Sequence, residues 1–132
     1  MADGLITRRS AHDFPTTLDR LLKVLEAKGV TVFARIDHAA GAASVGLALR
    51  PTTVVVFGNP AAGTPLMQAA QSAGIDLPLK ALVWEDAGGA VNLSYNDPAW
   101  IAARHARGGG AQQAVTALSG ALKAFAAHAT GG

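Results

Sequence analysis

The sequence predicts an α+β fold: a single mixed β-sheet of about five strands with helices packed on it. Three patterns predict this class. Apolar and polar residues alternate at residues 30–36, as in a strand with one face in a core. Leucines at positions 18, 21, 22 and 25 recur at helical spacing and share one helix face. Asp-Ala-Gly-Gly at residues 86–89 separates two apolar segments and predicts a hairpin.

Local signals mark where most elements begin and end. Asp13 opens the first helix, and Gly29 follows its last turn. Thr64, with Pro65 behind it, forms the cap and first turn of the third helix. The expected order of elements is β-α-β-α-β-α-β-β-α-α. The strands are expected at residues 5–9, 30–36, 52–57, 79–85 and 90–95. The first helix is expected to begin after residue 13, and the others to span residues 37–49, 64 to about 72, 99 to about 107 and 111–128.

The size and composition of the chain predict one domain that associates with a second copy. At 132 residues there is room for one hydrophobic core, so we expect residues 1–132 to form a single domain. A Gly-rich break at residues 108–110 precedes the last helix. Half of the residues are apolar and 15% are charged. So few charges leave apolar surface for another copy to cover, which predicts a homodimer.

Charge and motif content argue against several functional classes. The net charge is +2, and Lys and Arg are scattered, so we expect no nucleic-acid partner and no membrane partner. The chain has no apolar run of 18 residues and no signal-peptide pattern, from which we expect a soluble, cytoplasmic protein. It has no cysteines, no metal-ligand spacing and no phosphate-loop or dinucleotide fingerprint. We therefore expect no metal and no cofactor.

The junction between the third strand and the third helix is the main candidate ligand site. A helix start leaves backbone N–H groups that can hold an anion or a polar ligand. Asn59, Gly63 and Thr64 lie at this junction. Asp37 and His38, which follow the second strand, are further candidate ligand contacts. Each residue also has a structural interpretation, since Asn and Asp commonly tie turns and cap helices.

His38 and Lys80 are the candidates for catalysis. His38 beside Asp37 is able to act as an acid or base. Lys80 stands in an apolar setting, where a lysine can lose its proton and become a nucleophile; the alternative is an ordinary ion pair with a carboxylate. Parallel crossovers would place His38 and Asn59 at one edge of the sheet and Lys80 at the other. These residues could meet only if the connection is antiparallel or if a dimer brings the two edges together, and the sequence leaves these arrangements open.

Four segments together carry a resemblance to a known family. They are residues 33–38 (FARIDH), residues 57–60 with 63–67 (FGNP and GTPLM), residues 77–80 (LPLK) and residues 95–98 (YNDP). The residue types and the spacing of these segments resemble those of the domain of unknown function 302 family, over roughly residues 5–105. The resemblance implies a compact α+β domain, usually homodimeric and found in bacteria and archaea. It implies no reaction.

Three functional hypotheses follow. The first is a homodimeric small-molecule-binding or sensor-like domain, with a polar site around Asp37, His38, Asn59 and Thr64. The second is an enzyme that acts on a small anionic substrate, with His38 as acid or base. The third is a structural or partner-binding module that uses its apolar C-terminal helix.

Overall fold

The computed structural model describes residues 2–131, which form a β-sheet and the helices that pack on one of its faces. The strands are β1 (Leu5–Arg9), β2 (Thr31–Asp37), β3 (Thr52–Gly58), β4 (Leu79–Glu85) and β5 (Val91–Asn96). The helices are α1 (Phe14–Ala27), α2 (His38–Ser44), α3 (Pro60–Ala69), α4 (Pro98–His105) and α5 (Gln112–Thr130), and a short 3₁₀ helix (Gln71–Ile75) lies between α3 and β4.

The strand order in the sheet is β1-β5-β4-β3-β2, and every neighbouring pair is antiparallel. The α+β class, the five strands and the predicted element order are confirmed. The sheet is antiparallel throughout and not mixed. After α2 and after α3 the chain forms a strand that lies next to the preceding strand and runs in the opposite direction. Neither connection is therefore a parallel crossover.

The two faces of the sheet differ in burial. Residues paired across neighbouring strands point to the same face, so one face can be followed through the register. The face toward the helices carries the buried residues Val55, Phe57, Leu79, Ala81, Val83 and Leu93. We call the other side the open face; it carries Thr7, Ala34, Ile36, Val54, Val56, Lys80, Leu82, Trp84 and Ser94, most of which are half-buried or exposed.

The core is formed by the sheet together with α1, α3 and α5. On α1 the buried leucines fall at the predicted helical spacing, and Asp13 accepts a hydrogen bond from the Thr16 N–H at 2.9 Å as its cap. On α5, Leu118, Leu122 and Phe125 are buried. The Phe125 ring meets the Phe57 ring edge to face, with centroids 6.1 Å apart. The apolar face of α5 is thus used within the domain, which argues against the hypothesis that this face is free for a partner.

Two helices depart from their predicted bounds. α3 begins at Pro60, because the Asn59 side chain accepts a hydrogen bond from the Ala61 N–H and acts as the cap in place of Thr64. Pro65 therefore lies inside the helix, which ends at Ala69 and is followed by the 3₁₀ helix. α2 ends at Ser44, because Gly46 adopts a left-handed φ of 77° that stops a helix before residue 49.

Candidate functional site

A cavity opens where β3 ends, between α3 and α5. Its volume is about 420 Å³, within the range of small-molecule sites. The walls are almost entirely carbon. Apolar side chains from the sheet, from α3 and α5 and from the neighbouring loops line it: Val30, Phe33, Phe57, Met67, Leu77, Leu79, Leu118, Ala121 and Phe125. Such a lining favours an apolar ligand body.

The polar rim of this cavity holds three of the predicted ligand-binding residues. Asn59, Gly63 and Thr64 all line it. The Asn59 side-chain oxygen is engaged with the Ala61 N–H at 2.9 Å, so its amide N–H₂ faces outward as an exposed donor. Thr64 is exposed and lies on the first turns of α3. The junction therefore combines a structural cap with donors beside an apolar space.

Gly58 lines the cavity beside Asn59, between Phe33 and Pro78. A Cβ atom placed on Gly58 would lie 3.4 Å from the Phe33 ring and 3.5 Å from Pro78. Phe33 is itself 53% exposed, at the irregularity in the register between β2 and β3. This local bulge brings the aromatic ring toward the end of β3, where it forms part of the cavity lining.

The two candidate catalytic residues line a separate groove on the open face. His38 and Lys80 both line this groove, together with Val54, Leu82 and Trp84. The Lys80 ammonium group donates to the backbone carbonyls of Asp76 and Pro78, each at 3.1 Å. Lys80 therefore has backbone partners instead of the carboxylate expected from the sequence.

Asp37 and Asn59 lie at opposite ends of the sheet. Asp37 pairs with Thr53 at the start of β3 and caps α2 by accepting from the Ala40 N–H at 2.9 Å. Asn59 follows the end of β3, beside the start of β4, where Lys80 lies. The antiparallel connections thus group Asn59 with Lys80 at one end and leave Asp37 at the other. The grouping that parallel crossovers would produce is absent.

Tyr95, named in the sequence motif YNDP, pairs with Ala81 in the register, so its buried side chain points toward the helices and not into the open-face groove. Burial raises the pKa of its phenol, and the Asp97 carboxylate raises it further, against the opposing effect of Arg8.

The apolar residues of the cavity are the part of this site that sequence reasoning missed. Met67 and Phe125 read as ordinary core positions, since an apolar side chain has the same pattern whether it fills a core or lines a void. Only Asn59, Gly63 and Thr64 carried a local signal, because turn and cap residues are recognisable in sequence.

The described residues contain neither a metal cluster nor a membrane-spanning helix. Among residues 2–131, no cluster of three or more His, Cys, Asp or Glu side chains has the geometry to hold a metal ion. In the same part of the chain, no helix has both the length and the apolar character needed to span a membrane.

Comparison with solved structures supports the fold. A crystal structure of an uncharacterized conserved DUF302 protein from Bacillus stearothermophilus superposes with a TM-score of 0.83. The likeness covers 97% of this chain and 99% of that one, at 18% sequence identity. At this identity the comparison establishes the shared fold alone.

Similar curated sequences are longer than this chain. Proteins named fluoride-specific ion channel FluC 1, from Brucella suis biovar 1 (strain 1330) and Brucella abortus biovar 1 (strain 9-941), are each 46% identical over 115 residues. The match covers 87% of this chain but only 45% and 43% of the two relatives, so the chain spans less than half their length.

A family model confirms the resemblance seen in the four sequence motifs. The model, described as Domain of unknown function DUF302, matches residues 6–125 and so includes most of α5 as well as the segments that carry the motifs. The chain therefore belongs to the DUF302 family.

Proposed function

We propose that this domain binds a small, mainly apolar molecule in the cavity between β3, α3 and α5, and acts as a homodimeric binding or sensor module. The observation that carries this proposal is the cavity of about 420 Å³, which is walled by carbon and has a polar rim. A space of that size and character favours an organic ligand over solvent.

The lining also indicates the chemistry of the ligand. Phe33, Met67 and Phe125 supply aromatic and polarisable surface for an apolar body. Asn59 and Thr64 offer a donor and a hydroxyl at the rim for one polar head group. No Lys or Arg is among the lining residues, and a buried anion without a partner is strongly disfavoured. We infer a neutral ligand with a single hydrogen-bonding end.

Binding of a neutral fluorescent probe tests this site. N-phenyl-1-naphthylamine brightens in an apolar pocket, and its titration onto the full chain is expected to saturate. Ala121→Leu fills part of the cavity and is expected to weaken binding at least tenfold. Ala124→Leu makes the same change at an exposed position of α5 and is the matched control. Equal probe affinity in the two variants would contradict the proposal.

The homodimer is supported by the apolar character of the open face. Ile36 is 46% exposed there and lies beside Val54 in the register. Elsewhere, the loop after α2 exposes further apolar side chains, with Val45, Leu47 and Leu49 at 71%, 67% and 48%. Removing such side chains from water gives about 25 cal/mol per Å² of apolar area. A second copy seated on this face would provide that burial, with both chains using the same surface.

Sedimentation velocity distinguishes this arrangement from a monomer. The wild-type chain is expected to sediment as a dimer, and Ile36→Lys to sediment as a monomer, because the introduced ammonium would be buried at the interface. Ile75→Lys introduces the same charge at a residue that is 75% exposed on the 3₁₀ helix, and is expected to leave the dimer intact. A monomeric wild type, or two variants with equal effects, would refute this use of the open face.

The Brucella relatives suggest a setting for such a domain. In each of them the region that matches this chain shares one polypeptide with a longer remainder. The cavity is unsuited to fluoride itself, because that ion needs hydrogen-bond donors that a carbon-lined space lacks. We propose that the domain regulates an attached or partner channel and does not conduct.

Fluoride efflux from vesicles tests this setting. The complete Brucella suis relative would be compared with a version that lacks the shared 115-residue region. Efflux is expected to persist in the shortened protein at an altered rate. If the shortened protein still inserts and assembles but shows no efflux, the shared region is required for conduction itself. That result would overturn the regulatory assignment.

A further inference from the structure

A serine, a histidine and an aspartate meet at the junction of the 3₁₀ helix and α4, away from the cavity. The Ser72 hydroxyl lies 2.8 Å from Nδ1 of His105. On the other side of the ring, Nε2 of His105 lies 2.5 Å from an Asp76 carboxylate oxygen. A hydroxyl within reach of a base, with the base oriented by a third group, is the arrangement of an activated nucleophile.

The fold assembles this trio from two distant segments. Ser72 lies in the 3₁₀ helix, and Asp76 is the residue directly after its end. His105 is the last residue of α4, 33 positions after Ser72. The antiparallel β4–β5 hairpin between them returns the chain to the same end of the sheet, where α4 packs against the 3₁₀ helix.

Burial and charge hold the histidine in one orientation. The His105 and Asp76 side chains are only 8% and 15% exposed, whereas Ser72 is open to solvent. Arg104 donates from Nη1 to both Asp76 oxygens, at 3.1 and 3.0 Å, and fixes that carboxylate from the outside. The Arg104 guanidinium also lies 5.8 Å from the centre of the Trp100 ring. The base is thus rigid while the hydroxyl remains accessible.

The hydrogen-bond pattern selects the tautomer that a general base needs. A neutral imidazole carries one N–H, and the Asp76 carboxylate accepts it from Nε2 of His105. The lone pair on Nδ1 then faces the Ser72 hydroxyl. In the serine-protease triad the aspartate holds Nδ1 and the serine faces Nε2. The two nitrogens are interchanged in this protein, but the division of roles between them is the same.

The link between the 3₁₀ helix and α4 does not depend on the serine. Asp76 already ties the 3₁₀ helix to α4 through Arg104 and His105. The exposed Ser72 hydroxyl has water available to it, so its alignment on the remaining imidazole nitrogen adds little to that link. What the alignment adds is a path for the hydroxyl proton.

We propose that Ser72 is the nucleophile of an acyl-transfer site, with His105 as its general base and Asp76 as the residue that positions the imidazole. The substrate class is a small activated ester or thioester approached from solvent. Ser72 Oγ forms a bond to the acyl carbon while its proton passes to Nδ1 of His105. The bond from that carbon to the leaving oxygen or sulfur breaks, and the same proton leaves with it. Water then releases the acyl group from Ser72 by the reverse roles.

Covalent labelling of the intact chain tests this assignment. A fluorophosphonate probe forms a bond from serine oxygen to phosphorus, expels fluoride and leaves the hydroxyl proton with the base, so it reports nucleophile activation directly. Peptide mass spectrometry compares Ser72 with Ser44, an exposed serine whose hydroxyl donates to the Gly41 carbonyl and has no base beside it. General-base activation predicts that Ser72 is labelled at least about a hundredfold faster.

Three variants complete the test. His105→Gln is expected to reduce Ser72 labelling to the Ser44 rate, and Ser72→Ala is expected to abolish p-nitrophenyl acetate hydrolysis by the full chain. Asp76→Asn is expected to slow labelling without preventing it, as a positioning residue should. Equal labelling of Ser72 and Ser44 in the wild-type chain would overturn the proposal, even where a variant fails to fold. Because Ser72 is outside the cavity lining, this result is independent of probe binding there.

Discussion

Filling the cavity should stabilise the protein, and Ala121→Leu is the substitution that tests this most directly. Ala121 lies on α5, is half-buried and lines the cavity. Leucine adds three carbon atoms that point into existing space, and both residues are strong helix formers, so the helix itself is little affected. An ordinary core position would respond in the opposite way, because extra carbon in a filled core forces strain.

The expected gain follows from the burial of those carbons. At about 0.8 kcal/mol per buried CH₂, three carbons contribute up to about 2.4 kcal/mol. Restricting a leucine side chain costs about 0.5–1 kcal/mol, and the open mouth of the cavity leaves part of the side chain in water. We therefore expect a net gain of about 1 kcal/mol, which for a domain of this size raises Tm by about 3–5 °C.

Urea unfolding followed by far-UV circular dichroism measures this difference, with Ala124→Leu as the control on the exposed side of the same helix. The control is expected to change the free energy of unfolding by less than about 0.5 kcal/mol. A loss of stability in Ala121→Leu, or a gain no larger than that of the control, would refute the reasoning. Either result would mean that the side chains around Phe125 close over the space in solution.

Three further predictions concern caps, the hairpin and the core. Asp97→Ala should cost about 1 kcal/mol in urea unfolding, because the bond from the Ala99 N–H to Asp97 is lost, whereas Asp97→Ser should retain most of it. Hydrogen bonds from the Asn92 side chain and from the hairpin backbone lower the pKa of Asp86 from its ordinary value. The stability that Asp86 contributes is therefore present at higher pH and is lost as the pH falls through its folded pKa. Asp86→Asn should make stability less dependent on pH in the acid range, and an unchanged profile of unfolding free energy against pH would contradict this. Phe125→Ala should cost about 3 kcal/mol by thermal unfolding, at the low end for a buried aromatic because one side already faces the cavity; a change under about 1 kcal/mol would count against its place in the core.

Caps and periodicity were readable because their physics is local. Asp13, Asp37 and Asp97 each accept a backbone N–H two or three residues ahead, and an Asp at the start of a helical segment is a cap signal that the sequence itself carries. The hairpin at residues 86–89 follows in the same way, since Asp86 bonds the N–H groups of Gly88 and Ala90. The start of α3 was misplaced because two cap signals compete within six residues, and Asn59 precedes Thr64.

The candidate site was only partly predictable. Its polar rim was found because Asn59 and Thr64 belong to a recognisable turn, whereas its apolar wall was not, since Phe33 and Phe125 are brought together only by the folded chain. Whether Asp37 and Asn59 would share one end of the sheet depended on the direction of pairing. That direction depends on how the connections through α2 and α3 lead the chain back to the sheet, which the residues at the strand ends do not reveal.

The sequence by itself determined the α+β class, the order of the elements and the family to which the chain belongs, but not the buried face of β2, because the register shift after Val32 puts Ile36 on the open face. These properties rest on periodicity, caps and turns that act over a few residues. Only the tertiary structure decided the antiparallel sheet, the cavity beside Asn59 and the alignment of Ser72 with His105. Each of those depends on contacts between residues far apart in the chain, and such contacts leave no local pattern from which they could be read.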